Sequence, residues 1–326
     1  MSSDDVNRPE AVPPISDCWF LTGPTASGKT KIGLELAERL NAEIISLDSM
    51  AVYCGMDIGT AKPSAAERQR IPHHLLDVVD PNVEYSISEY VDAAHEVAGQ
   101  IHERDKQVLF VGGTPLYLKA LLRGVYQGPP ADWEFRQEIE KELQEVGLEA
   151  LHQRLALVDP LSAAKLHPND KRRIIRALEV HRVTGEQLSH RQLQFDEVSR
   201  GKNVKVFSLF WPREILHQRI ESRVDAMFEA GLVAEVRTVL ERYGSLSRTA
   251  AQAVGYQEIA EMLQQGDAGA PLNEEAVRER VKARTRQFAR RQETWFRSLS
   301  ECVFVPQTSE STPSLEAERI LALAKS

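Results

Sequence analysis

The chain has 326 residues, 42% of them hydrophobic, and a formal net charge of −8. That length holds one large or two modest domains with real cores, and the acidic balance argues against nonspecific nucleic-acid binding as the main activity. Three cysteines, Cys18, Cys54 and Cys302, form no close pair and no metal-ligand spacing, which argues against a disulfide framework or a zinc site and for a reducing compartment.

Residues 1–16 are polar, acidic and proline-containing, and are expected to form a disordered arm. They lack the basic start and apolar centre of a signal peptide, and no run of the chain is apolar enough to cross a bilayer, so no membrane association is expected. The run Cys18-Trp19-Phe20-Leu21 reads as a first strand. Directly after it stand Gly23-Pro24-Thr25-Ala26-Ser27-Gly28-Lys29-Thr30, a complete phosphate-binding P-loop where a strand should meet a helix. Gly23 and Gly28 let backbone N–H groups and the positive end of the next helix approach an anion, Lys29 adds a mobile charge, and Thr30 offers a hydroxyl suited to Mg²⁺. From Lys29 the residues Ile32, Leu34, Leu36, Ala37 and Leu40 continue as a helix with an apolar side.

Glu43 to Leu47 reads as a second strand with Asp48 at its end. Ser86 and Glu89 form a capping box before a helix over Ser88 to Glu103, and Gln107 to Val111 reads as a third strand ending in Gly112-Gly113-Thr114. From Leu116 to about Ser199 only helical periodicity appears, broken at Gly128-Pro129-Pro130, Asp159-Pro160 and His167-Pro168. A basic knot, Lys171-Arg172-Arg173 with Arg176, opens one of these helices through Ile174, Ile175, Leu178 and Val180. Lys205 to Trp211 reads as a returning strand. Between Arg278 and Arg297 lie Arg278, Arg280, Lys282, Arg284, Arg286, Arg290, Arg291 and Arg297 against only Glu279 and Glu293, with Val277, Val281, Phe288 and Trp295 as an apolar stripe. Such basic helices are either solvated surface or phosphate-backbone contacts. Val303 to Pro306 is a possible last strand.

The alternation of strand and helix predicts an α/β fold: a P-loop NTPase-like parallel sheet flanked by helices, with an inserted all-helical domain. The core is expected over 17–123 and 200–326, ending in the basic helix, and the insertion over 124–199. Ligands in such sheets bind beyond the carboxyl ends of the strands, which singles out the P-loop, Asp48 and Thr114.

The P-loop together with Asp48-Ser49-Met50-Ala51-Val52-Tyr53-Cys54-Gly55-Met56-Asp57-Ile58-Gly59-Thr60-Ala61-Lys62-Pro63 resembles the opening of the tRNA dimethylallyltransferases, or tRNA isopentenyltransferases. The similarity continues through His73 to Asp77, Gly112 to Leu121, Arg172 to Glu179, Arg219 to Leu232, Val254-Gly255-Tyr256 and Arg286 to Arg297. The resemblance implies a P-loop that holds the diphosphate of dimethylallyl diphosphate, with Mg²⁺ at Thr30, and transfer of the five-carbon group to N6 of the adenosine immediately 3′ of the anticodon. Asp48 is then the base, helped by Thr114, while Lys29 and Arg223 stabilise the departing diphosphate. By correspondence, Asp48, Ser49, Met50, Ala51, Thr114, Arg136, the run Arg172-Arg173-Ile174-Ile175-Arg176 and Val254-Gly255-Tyr256 contact tRNA. Arg286, Arg290 and Arg291 of the basic helix are expected to do the same.

Three positions depart from what many members carry: Ala51 in place of Gln, Cys54 in place of a basic residue and Pro115 in place of Gly. No carboxyl-terminal zinc finger is visible, so the resemblance is to the bacterial type. The expected partners are the tRNA anticodon stem-loop and dimethylallyl diphosphate, with the chain acting as a monomer in the cytoplasm. Two rival readings remain: an adenylate isopentenyltransferase, which shares the donor but prenylates a free nucleotide, and a P-loop small-molecule kinase, which would turn over ATP instead.

Overall fold

A computed structural model describes residues 11–126, 128–190, 203–267 and 273–325. In chain order the strands are β1 (Ala11–Val12), β2 (Cys18–Thr22), β3 (Ala42–Leu47), β4 (His73–His74), β5 (Gln107–Gly112), β6 (Val125–Tyr126), β7 (Lys205–Phe210) and β8 (Cys302–Pro306). The helices that matter below are α1 (Lys29–Leu40), α2 (Ala65–Arg70), α3 (Ile87–His102), α4 (Pro115–Arg123), α5 (Trp133–Val158), α6 (Pro160–Lys165), α7 (Lys171–Thr184), α8 (Arg213–Glu229), α9 (Leu232–Tyr243), α10 (Tyr256–Asp267), α11 (Glu274–Arg297) and α12 (Pro313–Leu323).

The chain divides into two compact units, one of Ile15–Ala120 with Gly201–Ser326 and one built mainly from Leu121–Arg200. The first contains a six-stranded sheet of order β4-β3-β5-β2-β7-β8, with every neighbouring pair parallel. Parallel strands covered on both faces must be apolar on both, and β2 and β3 are buried at every position. On one face Trp19, Leu21, Ile44, Leu109 and Phe207 pack with Leu36 of α1 and Ile320 of α12. On the other, Phe20 and Phe110 lie opposite each other in the β2–β5 register and stack with ring centroids 4.7 Å apart. There Tyr90 of α3 donates from its hydroxyl to the Ser46 carbonyl at 2.8 Å and stacks on Tyr117. A second core in this unit gathers α8 to α11 around Val52, Tyr53 and Met56.

The capping box at Ser86 and Glu89 forms as the sequence reads, and Ser64 with Glu67 makes a second one before α2. The apolar stripe of α11 differs from its reading. Val277 and Val281 are buried, but the buried line then runs through Ala289, Gln292 and Phe296, while Phe288 and Trp295 are half-exposed. Steps of seven drift off the face of a straight helix, so contact passes to the neighbouring positions on a 3.6-residue spacing.

The other unit is helical among its described residues apart from the two-residue pairing of β1 with β6. This pairing corrects the amino-terminal expectation, since residues 11–14 group with the helical unit and Ile15 is buried; residues 1–10 lie outside the described residues. Phe135, Ile139, Leu151, Leu155, Ile174 and Leu178 form the core of the unit. Gly147, with φ of 79°, breaks α5 into two helices that turn back on each other. No helix among the described residues is long and apolar enough to cross a membrane.

Glu43 is buried near an edge of the sheet, and its carboxylate accepts hydrogen bonds from Arg104 Nη2 and from His74 Nε2, each at 2.7 Å. The Arg104 hydrogen bond outweighs the opposing burial and holds the carboxyl down at about 2. A depressed carboxyl contributes stability that is present above its unfolded value and is lost as pH falls through the folded one. Thermal unfolding followed against pH should therefore show a loss of stability in the native chain as pH falls from about 4.5 to about 2, and the Glu43→Gln variant should lack that component.

Candidate active site

Four strand ends converge at the carboxyl edge of the sheet. The P-loop leaves β2, Asp48 leaves β3, Gly113 and Thr114 leave β5, and Trp211 leaves β7. The β2 strand lies between β5 and β7, where connections depart to both sides, and this is the place where open α/β sheets bind ligands.

Two glycines permit the approach. Gly28 takes φ of 97° at the start of α1, a left-handed conformation, and a Cβ there would sit 3.3 Å from the Arg219 guanidinium. A Cβ on Gly112 would fall 2.1 Å from the Leu47 carbonyl oxygen, so the backbone of β5 lies directly on the residue before Asp48. In the same region the Thr114 N–H donates to the Leu47 carbonyl at 3.1 Å, and Thr114 Oγ1 accepts from the Ser49 N–H at 3.0 Å. Asp48 Oδ1 accepts from the Met50 N–H at 2.8 Å and the Ala51 N–H at 3.4 Å. The carboxylate is thus oriented by its own turn. Ala51 itself is buried and serves through its backbone.

Lys29 is strapped across the loop: its ammonium donates to the Gly23 carbonyl at 2.9 Å, the Pro24 carbonyl at 2.7 Å and Ser27 Oγ at 3.4 Å. Burial first, and then repulsion from Arg223, push its pKa down to about 7, against a smaller opposing pull from Asp48. Arg223 on α8 is also lowered, chiefly by burial, with Asp48 raising it and Arg219 lowering it further. Arg219, one turn earlier on α8, donates from Nε to the Ala26 carbonyl at 2.8 Å, and its guanidinium lies 4.5 Å from the Trp211 ring centroid. Trp211 in turn donates to the Ser27 carbonyl at 2.9 Å. Lys29 and Arg223 therefore share one carboxylate, Asp48, in a sheltered site with Arg219 beside Arg223, an arrangement that an anion would complete.

Beside Arg223 opens a cavity of about 600 Å³, lined by the apolar Ile58, Ala61, Pro63 and Ala65, by Ala226 and Met227 of α8 with Ala230 just after it, and by the polar Asp57, Lys62, Ser64 and Arg68. The donor set fits Mg²⁺ better than a resident transition metal. No cluster of three or more His, Cys, Asp or Glu able to hold a metal occurs among the described residues, whereas Mg²⁺ takes few protein ligands and completes its shell with water and phosphate oxygens.

Several expected RNA contacts have other work in this structure. Tyr256 is fully buried, and its hydroxyl donates to Glu235, whose carboxylate also accepts from the N–H groups of Asp57, Ile58 and Gly59. Gly255 is buried as well, its N–H donating to Glu258, and Val254 is half-exposed. In the helical unit Ile174 and Ile175 are core residues, which their alternation with arginines in the sequence conceals. Arg136 and Arg176 both grip the fully buried Glu179, while Arg172 and Arg173 are exposed. On α11, Arg286 pairs with Glu221 at 2.9 Å; Arg290 and Arg291 are exposed and make no ion pair among the described residues.

Gln292 and Arg219 are the site residues that the reading of motifs missed. Arg219 was signalled by its position four residues before Arg223. Gln292 is buried on α11; it accepts from the Thr25 N–H at 2.8 Å and donates to the Gly113 carbonyl at 2.6 Å. Gln292→Leu would leave the buried Gly113 carbonyl and the part-buried Thr25 N–H unpaired, at a cost of roughly 1–3 kcal/mol for the buried one and less for the other. A lowered midpoint in denaturant titration, with diphosphate affinity reduced at least several-fold in calorimetry, is the expected outcome.

Comparison with known proteins gives a single family. The family model described as IPP transferase matches residues 51–299. A tRNA dimethylallyltransferase of Rhodopirellula baltica is 52% identical over 309 residues, covering 92% of this chain and 91% of that protein. One of Geobacter metallireducens is 46% identical over 286 residues, covering 88% and 91%. Among solved structures, a tRNA isopentenylpyrophosphate transferase of Bacillus halodurans is 36% identical with a TM-score of 0.68, covering 95% of each chain. A eukaryotic dimethylallyltransferase acting on tRNA is 28% identical with a TM-score of 0.79, covering 95% of this chain and 79% of that one. The strand ends, the P-loop and these similarities agree, and the chain belongs to the IPP transferase family of tRNA dimethylallyltransferases, which are enzymes.

Proposed function

We propose that the protein transfers the dimethylallyl group from dimethylallyl diphosphate to N6 of the adenosine immediately 3′ of the anticodon of tRNA. The observation that carries this reading is the gathering of Lys29, Arg219 and Arg223 at a P-loop, with Asp48 beside Lys29 and Arg223. A kinase would place a nucleotide there, but the cavity beside Arg223 is walled largely by alanines, Ile58, Pro63 and Met227, surfaces suited to a short hydrocarbon.

In the reaction the adenine N6 lone pair attacks C1 of the prenyl group as the C1–O bond to diphosphate breaks. The diphosphate leaves with the bonding electrons. Lys29, Arg223 and the P-loop N–H groups stabilise its developing charge, while Arg219 holds the loop through the Ala26 carbonyl. Asp48, with Oδ1 fixed by two N–H groups, takes the N6 proton, and Thr114 stands beside it through its hydrogen bond with Ser49. Thr30 is the residue to hold Mg²⁺, which would supply further neutralisation of the diphosphate. The adenine must leave its stack to reach Asp48, at a cost of about a few kcal/mol that is smaller in a loop than in a duplex. Arg172 and Arg173 on α7 and Arg290 and Arg291 on α11 are exposed, Arg173 also pairing with Asp170 at 3.5 Å, and these are the arginines that would meet the RNA backbone. In this reading the working unit is a monomer, acting in the cytoplasm where tRNA is found.

The test is transfer of radiolabel from dimethylallyl diphosphate, with Mg²⁺, to unmodified tRNA, with AMP as a parallel acceptor. Label on tRNA alone is expected; label on AMP or on neither acceptor overturns the reading. Asp48→Asn should lower single-turnover transfer roughly 10²–10⁴-fold while diphosphate binds as tightly or more tightly, because a negative charge has been removed from an anion site.

Lys29 gives an independent check. Its pKa of about 7 in the free protein must rise when diphosphate binds, so above pH 7 Lys29 takes up a proton on binding and its contribution weakens with rising pH, while below pH 7 that contribution is flat. Calorimetry with diphosphate near pH 8, in buffers of different ionisation enthalpy, should show greater proton uptake for the native chain than for Lys29→Arg, which stays charged.

A further inference from the structure

Trp133 is the first residue of α5 and, among the described residues of the helical unit, the aromatic side chain left most exposed, at 51%. The core beneath it is built from Phe135 and Ile139 on the same helix and does not include it. The ring is nevertheless fixed in place. Asp132 caps the helix at its foot, accepting from the Phe135 N–H at 3.0 Å, and the Arg136 guanidinium lies 4.9 Å from the ring centroid.

Arg136 is itself held rigidly. Its Nε and Nη2 donate to the two carboxylate oxygens of Glu179 at 2.7 and 2.8 Å, and Glu179 is fully buried. The same carboxylate accepts from Arg176 Nη1 and from the Asp132 N–H at 2.8 Å. Arg176 also donates to the Pro129 carbonyl at 2.8 Å. One buried carboxylate thus fixes two arginines and the start of the tryptophan's helix. Four residues before Arg176, one turn earlier on the same face of α7, lies exposed Arg172, with exposed Arg173 beside it.

A wide, rigid aromatic surface at the end of a line of arginines is how proteins bind unpaired nucleotides: bases stack on the ring, and guanidinium groups meet the phosphates. We propose that Trp133 is a stacking platform for an unpaired base of the RNA substrate, with Arg136 clamping the ring and the arginines of α7 meeting the adjoining backbone. This rests on the tRNA reading above. It adds a residue that recognises RNA through stacking and not through charge. A protein surface could also cover an exposed tryptophan, but the row of arginines favours a polyanion.

The experiment uses the full-length chain and an unmodified anticodon stem-loop RNA. Trp133→Ala should weaken RNA binding and raise KM for RNA roughly ten- to a hundredfold, while kcat at saturating RNA, diphosphate affinity and thermal stability stay unchanged. Trp133→Phe should recover part of the affinity. The slope of log affinity against log salt should be the same in all three proteins, because stacking releases no counterions.

Unaltered RNA affinity in Trp133→Ala overturns the platform. A salt slope that falls together with affinity also overturns it, since the loss would then act through the arginines. A native protein that transfers no label to tRNA removes the tRNA reading itself; an active native protein indifferent to Trp133→Ala removes the platform alone.

Discussion

One buried amide joins the two loops on which the site depends. Gln292 accepts from Thr25 in the P-loop and donates to Gly113 after β5, residues 267 and 179 positions away in sequence. The donor and acceptor ends of a single side chain are used on opposite loops, so their spacing is set by the width of a carboxamide. The close approach of Gly112 to Leu47 extends the same registration to the turn that carries Asp48. P-loop, Thr114 and Asp48 are therefore positioned through backbone contacts that tolerate little displacement, as chemistry on a small leaving group requires. The basic helix α11 has a structural role here as well as a surface one.

The electrostatics follow from that geometry. Lys29, Arg219 and Arg223 are held near one another by packing and by carbonyl acceptors; of the three, only Arg219 has an aromatic ring to lie over. Carbonyl dipoles satisfy donors without cancelling charge. The site thus keeps a net positive field in a sheltered place, and the lowered pKa of Lys29 records its cost. Had carboxylates answered each cation, the same residues would form an inert ion-pair cluster, as Lys62 does with Asp57 and Asp77.

Much of this was legible in the sequence. The P-loop, the strand ends at Asp48 and Thr114, and the Ser86 capping box carry local signals whose spelling and spacing are set by backbone geometry. The division of α7 between core and surface and the fate of Tyr256 were less legible. The apolar line through Ile174, Ile175 and Leu178 was legible as helical, but the arginines on either side led the two isoleucines to be read as RNA contacts as well, and they belong to the core. Tyr256 is placed by Glu235, twenty-one residues away, and no local pattern shows which carboxylate a buried hydroxyl will meet. Gln292 was hidden for a related reason: a polar residue on a basic helix looks solvated until its backbone partners, distant in sequence, are known.

The net charge of −8 and the basic stretches are reconciled by the same principle. On α11, Arg278, Arg280, Lys282, Arg284 and Arg286 each meet a carboxylate from their own or a neighbouring helix, while Arg290, Arg291 and Arg297 make no ion pair among the described residues. In the helical unit Glu179 ties down Arg136 and Arg176 in the same way. Most of the apparent basic charge therefore organises helices, and only a few guanidinium groups remain to meet phosphates. Within these two stretches the paired cations add little to counterion release, the source of indiscriminate affinity for nucleic acid. Discrimination then falls to the shape of the site, to a base that can be unstacked, and to rigid aromatic surface, because these distinguish one loop of RNA from the bulk of polyanion around it.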